Sequence, residues 1–387
     1  MNPIWFSSSD TGAPALNNAA GSLIALLDAI LVTGFNIKAV TSISVAAGVA
    51  TAVISAHGYL VGQTLAIAGA TPAGLVGNFV VTAVVDANTL RFAAPGVADG
   101  NASGTMTARR APLGWLKAYA GTNTAIYQRT DPLSTGMLLR VDDTAAGNAS
   151  TTYARALMLE SASSIDTYGA IAPTATQISG GMYISKGAAS TTAKAWFAIG
   201  DGRTLYLFTE HPNVSLATYV CLSGFVFGDV ASWRSGGDPY GCVIGGGFNS
   251  SLRSNINYMG YGSGMEFGYL SRATNLIGGA LKCGLMGRTV GYAAADASTA
   301  GGYPSSVDGG MAIEPNVIVR ENTSSASYPL RGLMRGMAQP LGIVPAELHG
   351  TVLDNLMGST DKFLLLRCAD TSNSGALAFN ITSPWAN

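Results

Sequence analysis

Apolar residues recur at two different spacings along this chain, and the change of spacing divides it. Near the start, Leu16, Ala20, Leu23, Leu27, Ile30 and Leu31 fall three and four apart, the period of an α-helix. Pro14 suits an early helical position, Asp10 and Thr11 stand before it as caps, and Gly34 follows the pattern where a C-terminal glycine belongs. The spacing predicts one amphipathic helix of about 17 to 20 residues inside a first unit, residues 1–38, with Asn17, Asn18 and Asp28 toward water.

From residue 39 the period drops to two. Short alternating runs at Ile43–Val45, Val49–Ile54, Leu65–Ala68, Phe79–Val85, Thr89–Phe92 and Gly104–Ala108 predict strands. His57-Gly58-Tyr59, Gly62-Gln63 and Asp86–Asn88 supply turn chemistry between them. Residues 39–109 therefore read as a small β-sandwich or barrel module. Its first and last strands are placed to pair, the arrangement of a domain inserted into a host. Residues 110–387 form the main β-rich body. Trp115–Tyr119, Ala125–Gln128, Gly136–Val141, Ala154–Ser161, Cys221–Phe227, Tyr240–Ile244, Asn316–Val319, Lys362–Cys368 and Ala376–Asn380 continue the strand pattern. Trp196–Ile199 and Thr204–Thr209 flank Gly200-Asp201-Gly202-Arg203, a hairpin signal because Asp-Gly readily takes positive φ. Gly245-Gly246-Gly247 and the stretch 293–310 read as loops. The expected fold class is mainly β: an antiparallel β-sandwich-like body, one N-terminal amphipathic helix and the inserted module.

Composition adds a constraint. Only 11% of the 387 residues are charged and 49 are glycine, against about 25% charged in ordinary globular chains. So little polar material for a free surface points to neighbouring subunits that cover it. A net charge of -1 offers no basic field for nucleic acid. No apolar run reaches the roughly 18 to 20 residues of a bilayer span, and Leu23–Val32 is interrupted by Asp28. The first basic residue is Lys38, so no secretory leader is expected and folding in a reducing cytoplasm is. Cys221, Cys242, Cys283 and Cys368 form no CxxC pair and lie apart from the histidines, which predicts buried free thiols rather than a zinc site.

Candidate chemistry is sparse. There is no GxSxG, Walker loop or HExxH. His57, His211 and His349 each adjoin turn chemistry. Asp142 and Asp143 are neighbours on a strand, so they point to opposite faces and read as a strand end or turn. Asp201 reads as a turn residue. Asp229 and Asp238 flank Trp233 and Arg234 in a Gly-rich stretch, which reads as a surface-contact loop between subunits, with a cation or sugar contact as the alternative. The run Tyr328-Pro329-Leu330-Arg331-Gly332-Leu333-Met334-Arg335-Gly336-Met337 sets two Arg-Gly pairs four apart. It reads either as a docking strip, Arg331, Met334, Arg335 and Met337 meeting a partner, or as a surface loop whose arginines meet local carboxylates. No catalytic residue, metal or cofactor is expected, and no enzymatic role.

Residues Ala56-His57-Gly58-Tyr59, Gly62, Ile67-Ala68-Gly69-Ala70-Thr71-Pro72, Gly77-Asn78-Phe79 and Asp86-Ala87-Asn88-Thr89 resemble a small β module of tailed-bacteriophage structural proteins. Asn78-Phe79 stands where many members have Asn-Gly. In the body, Trp115, Lys117-Ala118-Tyr119, Thr122–Ala125, Arg140–Thr144, Gly180-Gly181 and Gly200–Thr204 are similar to virion proteins of tailed phages, Mu-like long-tailed phages among them. The resemblance implies a component of the virion tail, in the tail tip or baseplate, assembled in the host cytoplasm among other virion proteins. A homo-oligomer such as a trimer, and a host cell-surface receptor as partner, are further implications. A head decoration or head-to-tail protein, and a receptor-binding or glycan-degrading tail protein, are the alternatives. No repeat of β-helix period supports the last.

Overall fold

The computed structural model describes residues 2–187, 189–216, 219–251, 266–286, 303–322, 328–341, 344, 346–354, 356, 359–369 and 374–385; at 211–216, 219–221, 346, 368–369 and 374–375 only the backbone is considered. The chain begins as a strand, β1 (Ile4–Ser7). The helix α1 covers only Ser22–Leu27 and continues as a π-helical turn, Asp28–Thr33, ending at Gly34. It starts later than the apolar spacing predicts, for three local reasons. Leu16 is buried through a β-bridge to Lys194. The side chain of Asn17 accepts the Ala19 N–H, a turn that competes with helix. Gly21 sits at φ 80°, outside the helical region. The cap comes from far along the chain: Asp143 Oδ2 accepts the Leu23 N–H at 2.8 Å.

The next eight strands make one antiparallel sheet: β2 (Phe35–Ala39), β3 (Ser42–Ala46), β4 (Val49–Val53), β5 (Thr64–Ala68), β6 (Gly77–Asp86), β7 (Thr89–Ala93), β8 (Gly100–Asn101) and β9 (Thr107–Arg110). Their order is β2-β9-β5-β6-β7-β4-β3-β8. Alternation decides what goes inside: in β3, Ile43 and Val45 are buried while Ser42, Ser44 and Ala46 face out. Ile43, Leu65, Leu90 and Phe92 belong to a core of the sheet's own, which Val40 to Ala108 supply. Entry and exit strands lie side by side, with Phe35 opposite Arg110 and Ala39 opposite Thr107.

A second sheet follows as a meander of β10 (Leu116–Gly121), β11 (Thr124–Gln128), β12 (Leu138–Asp142) and β13 (Tyr153–Leu159). Both β14 (Ile171–Ala172) and β15 (Met182–Ser185) pair with β13. The largest sheet takes β1 at its edge, then β16 (Trp196–Gly200), β17 (Thr204–Leu216), β18 (Tyr219–Ser232), β19 (Cys242–Gly245), β20 (Glu266–Leu270) and β21 (Leu281–Met286). After β22 (Ile313–Glu314) it resumes with β23 (Ile318–Glu321) and β24 (Leu330–Met334). Because β24 also pairs with the end of β18, the strands β18, β19, β20, β21, β23 and β24 close a barrel. A last sheet joins β22 to β25 (Met337–Pro340), β26 (Thr351–Leu353), β27 (Phe363–Ala369) and β28 (Ser374–Asn380).

The fold is mainly β and antiparallel, as the alternation predicts; the body adds a closed barrel to the expected sandwich-like layers. The large sheet is buried on both faces. Leu205, Leu207, Phe225 and Phe227 pack toward α1 and the second sheet. Tyr206, Phe208, Leu222 and Val226 pack the other way, against Leu364, Leu366, Leu377 and Phe379 of the last sheet. Two buried faces explain the unbroken apolar runs in β17 and β18. Of the loop expected at 293–310, residues 293–302 lie outside the described residues.

Candidate functional site

A charge-poor chain spends much of its charge inside. β24 and the turn after it carry the two Arg-Gly pairs. Arg331 is 2% exposed; its Nε and Nη2 donate to Asp238 Oδ2 at 2.9 and 2.5 Å, and its Nη1 donates to Glu321 Oε1 at 2.8 Å. Arg335 donates to Asp201 Oδ1 at 3.0 Å, and its carbonyl accepts the Tyr206 hydroxyl at 2.9 Å. Met334 and Met337 are buried in the core of the large sheet. The docking strip expected at Arg331, Met334, Arg335 and Met337 is thereby corrected: all four side chains point into this chain. The glycines serve the same packing. A Cβ on Gly332 (φ 153°) would lie 2.1 Å from the Ala231 carbonyl, and one on Gly336 (φ 69°) 2.0 Å from the Trp385 ring.

Asp229 is also buried. It takes the Arg129 guanidinium, Arg203 Nε at 3.2 Å, and the Thr135 N–H and hydroxyl at 3.1 and 2.7 Å. Arg129 lies over the Phe227 ring, 5.1 Å from its centre. Asp201 is a turn residue, as expected, accepting the Arg203 and Thr204 N–H groups. The loop read as a surface contact therefore splits. Asp229 and Asp238 face inward as ion-pair partners, whereas Trp233 is 52% exposed and Arg234 is exposed, its Nη1 donating to the Thr274 carbonyl at 2.7 Å.

Asp142 takes the expected turn role, accepting the Thr144 N–H. Asp143 does not. It is buried, pairs with Lys186 and caps α1. Burial is the largest influence on it and holds its carboxyl above the usual range, opposed by Lys186. Cys242 and Cys283 are buried free thiols, and desolvation pushes Cys242 up to about 12. The side chains of Cys221, Cys368 and His211 lie outside the described residues. His57 accepts the Tyr59 N–H at Nδ1 (2.9 Å), so its Nε2 carries the proton and donates to the Asp86 carbonyl at 3.0 Å. Among the described residues, no group of three or more His, Cys, Asp or Glu is placed to hold a metal ion, and no helix is long and apolar enough to cross a membrane.

His349 joins two sheets. Its Nδ1 accepts the Arg367 N–H at 3.0 Å, and its ring meets Phe197 edge-on. Burial, then the Arg367 charge, holds it below the ordinary 6.5. The native state thus keeps it neutral while the unfolded chain takes up the proton first. Its contribution is present above about pH 6.5 and is lost as pH falls toward the lowered native value. Thermal melts between about pH 5 and pH 8 are expected to show that loss, and His349→Gln to flatten it. An unchanged slope in the variant would remove His349 as its source.

No protein-family model matches the chain, and no curated protein sequence does. Among solved structures, the chain is similar to the phage phi92 endosialidase, at 12% identity and a TM-score of 0.18. The match covers 89% of this chain and 51% of that one, so the chain spans about half of that protein's length. A score that low is not a shared fold, and the neighbour's activity is a statement about the neighbour.

Proposed function

We propose that this chain is a structural component of a bacteriophage virion, in the tail tip or baseplate, where it scaffolds fibres or receptor-binding subunits. What supports this reading is the resemblance of residues 56–89 to a module of tailed-phage structural proteins, a stretch whose two halves interlock. The Asn88 side chain accepts the Ala56 N–H at 2.8 Å, Ile54 and His57 donate N–H groups to the Asn88 and Ala87 carbonyls, and His57 bonds to Asp86. These residues specify a fold, which is what a shared structural module requires. The module exposes Leu60, Val61, Val80, Val84 and Val85, apolar surface of the kind subunits cover. On this reading the protomers form a homo-oligomer, a trimer by the resemblance, among other virion proteins.

Gold-labelled antibody on intact particles is expected to mark the tail end. Labelling of the head would favour a head or head-to-tail role. Cleavage of host surface polysaccharide by the purified chain would replace the scaffold reading with a catalytic one. The module reading has its own test. Deleting residues 40–108 and joining the ends through a short linker is expected to leave the body folded, because the strands that remain run side by side, with Phe35 opposite Arg110. Loss of the body's β signature in circular dichroism would count against an insertion.

A further inference from the structure

We propose that residues 4–12 are a strap fixing the module against the body, and that unfastening it at Asp10 frees the module on its two-strand stem while both parts stay folded. The inference is independent of any virion role.

One end of the strap belongs to the body. β1 is the edge strand of the large sheet, paired with β16, and Ile4 and Phe6 are buried in the body core. The other end is fastened to the module. Asp10 Oδ1 accepts Gln63 Nε2 at 2.9 Å; Oδ2 accepts the Ser7 N–H and Arg110 Nη2, each at 3.2 Å. Arg110 also donates to the Trp5 carbonyl at 2.5 Å and the Thr64 carbonyl at 3.0 Å, and lies over Phe6. One guanidinium therefore ties strap, module strand β5 and stem strand β9. Beyond Asp10 the strap stays in contact: a Cβ on Gly58 would lie 2.3 Å from Thr11 Oγ1, and one on Gly12 3.2 Å from Asn36 Cβ.

Neither core depends on this fastening. The module core runs from Val40 to Ala108, and of residues 39–109 the partly buried Ala66 is what packs against the body core. The Asp10 and Arg110 side chains are 2% and 1% exposed, so their attraction is little screened. Without Asp10, the fastened arrangement strands a buried guanidinium, whereas a swung-out module hydrates it. Loss of one carboxylate thus acts on the fastened state alone, which is what shifts a two-state equilibrium.

Hydrogen exchange on the full chain tests this. Asp10→Ala is expected to speed exchange about a hundredfold at the amides of residues 9–13 and to leave unchanged both β17 and β18 and residues 57–63, whose amides bond within the module. The double variant Asp10→Leu/Arg110→Met, which removes both charges, is expected to restore slow exchange. Unchanged exchange in Asp10→Ala, an equal rise in β17 and β18, or no restoration in the double variant would each overturn the strap.

Discussion

Arg331→Ala is expected to destabilise the chain by about 3–5 kcal/mol, the usual consequence of removing one partner from a buried ionic group. The effect should sit at the upper end because one guanidinium serves two carboxylates. Asp238 and Glu321 each have a side-chain exposure of 2%. Without Arg331 they become two buried like charges, Glu321 on β23 and Asp238 on the loop between β18 and β19. Denaturant unfolding would measure the loss directly. Arg234→Ala is the control, since that side chain is exposed and makes one bond to a loop carbonyl; a change within about 0.5 kcal/mol is expected. The docking-strip alternative expects the reverse for Arg331: failed incorporation into particles with stability intact. Such an outcome would reinstate the docking strip.

The reason for that reversal lies in what a single sequence exposes. Strand patterns and tight turns are local, and they were readable. The Gly200–Arg203 hairpin, the Asp86–Asn88 turn and the alternation of β3 all follow from neighbours a few residues apart. The buried networks are not local. Arg331 finds Asp238 across 93 positions and Arg129 finds Asp229 across 100, so no spacing rule connects them. Burial of Asp143 was hidden for the same reason, because its partners, Lys186 and the start of α1, come from both sides of the sequence. The helix was overextended for a different reason. Apolar spacing cannot tell a residue buried by a helix from one buried by a β-bridge, and Leu16 is the latter. The exposed pair Trp233 and Arg234 was legible as a surface element, yet its acidic flanks were assigned to the wrong side of the chain wall.

Asp229→Ala should match or exceed the Arg331 effect, since it removes the acceptor shared by two arginines and Thr135. Arg203 has a route to relief, with 9% of its side chain exposed. Arg129 has none: its side chain is fully buried over Phe227, and its remaining bonds go to the Arg203 and Met137 carbonyls and the Thr135 hydroxyl. Carbonyl dipoles do not replace a carboxylate at that depth, so a loss of about 3–5 kcal/mol or more is expected. Asp229→Asn should fall between, because it keeps an acceptor but not the charge. Cys242 supplies the readout. Its thiol is buried and pushed up to about 12, chiefly by desolvation, so alkylation must await opening. If labelling is slow relative to reclosing, its rate follows the open population. A loss of that size then raises Cys242 labelling by a factor of more than about a hundred, and mass spectrometry of the Cys242 peptide separates it from the other thiols. Wild-type labelling rates in Asp229→Ala would mean that the arginines find other anions.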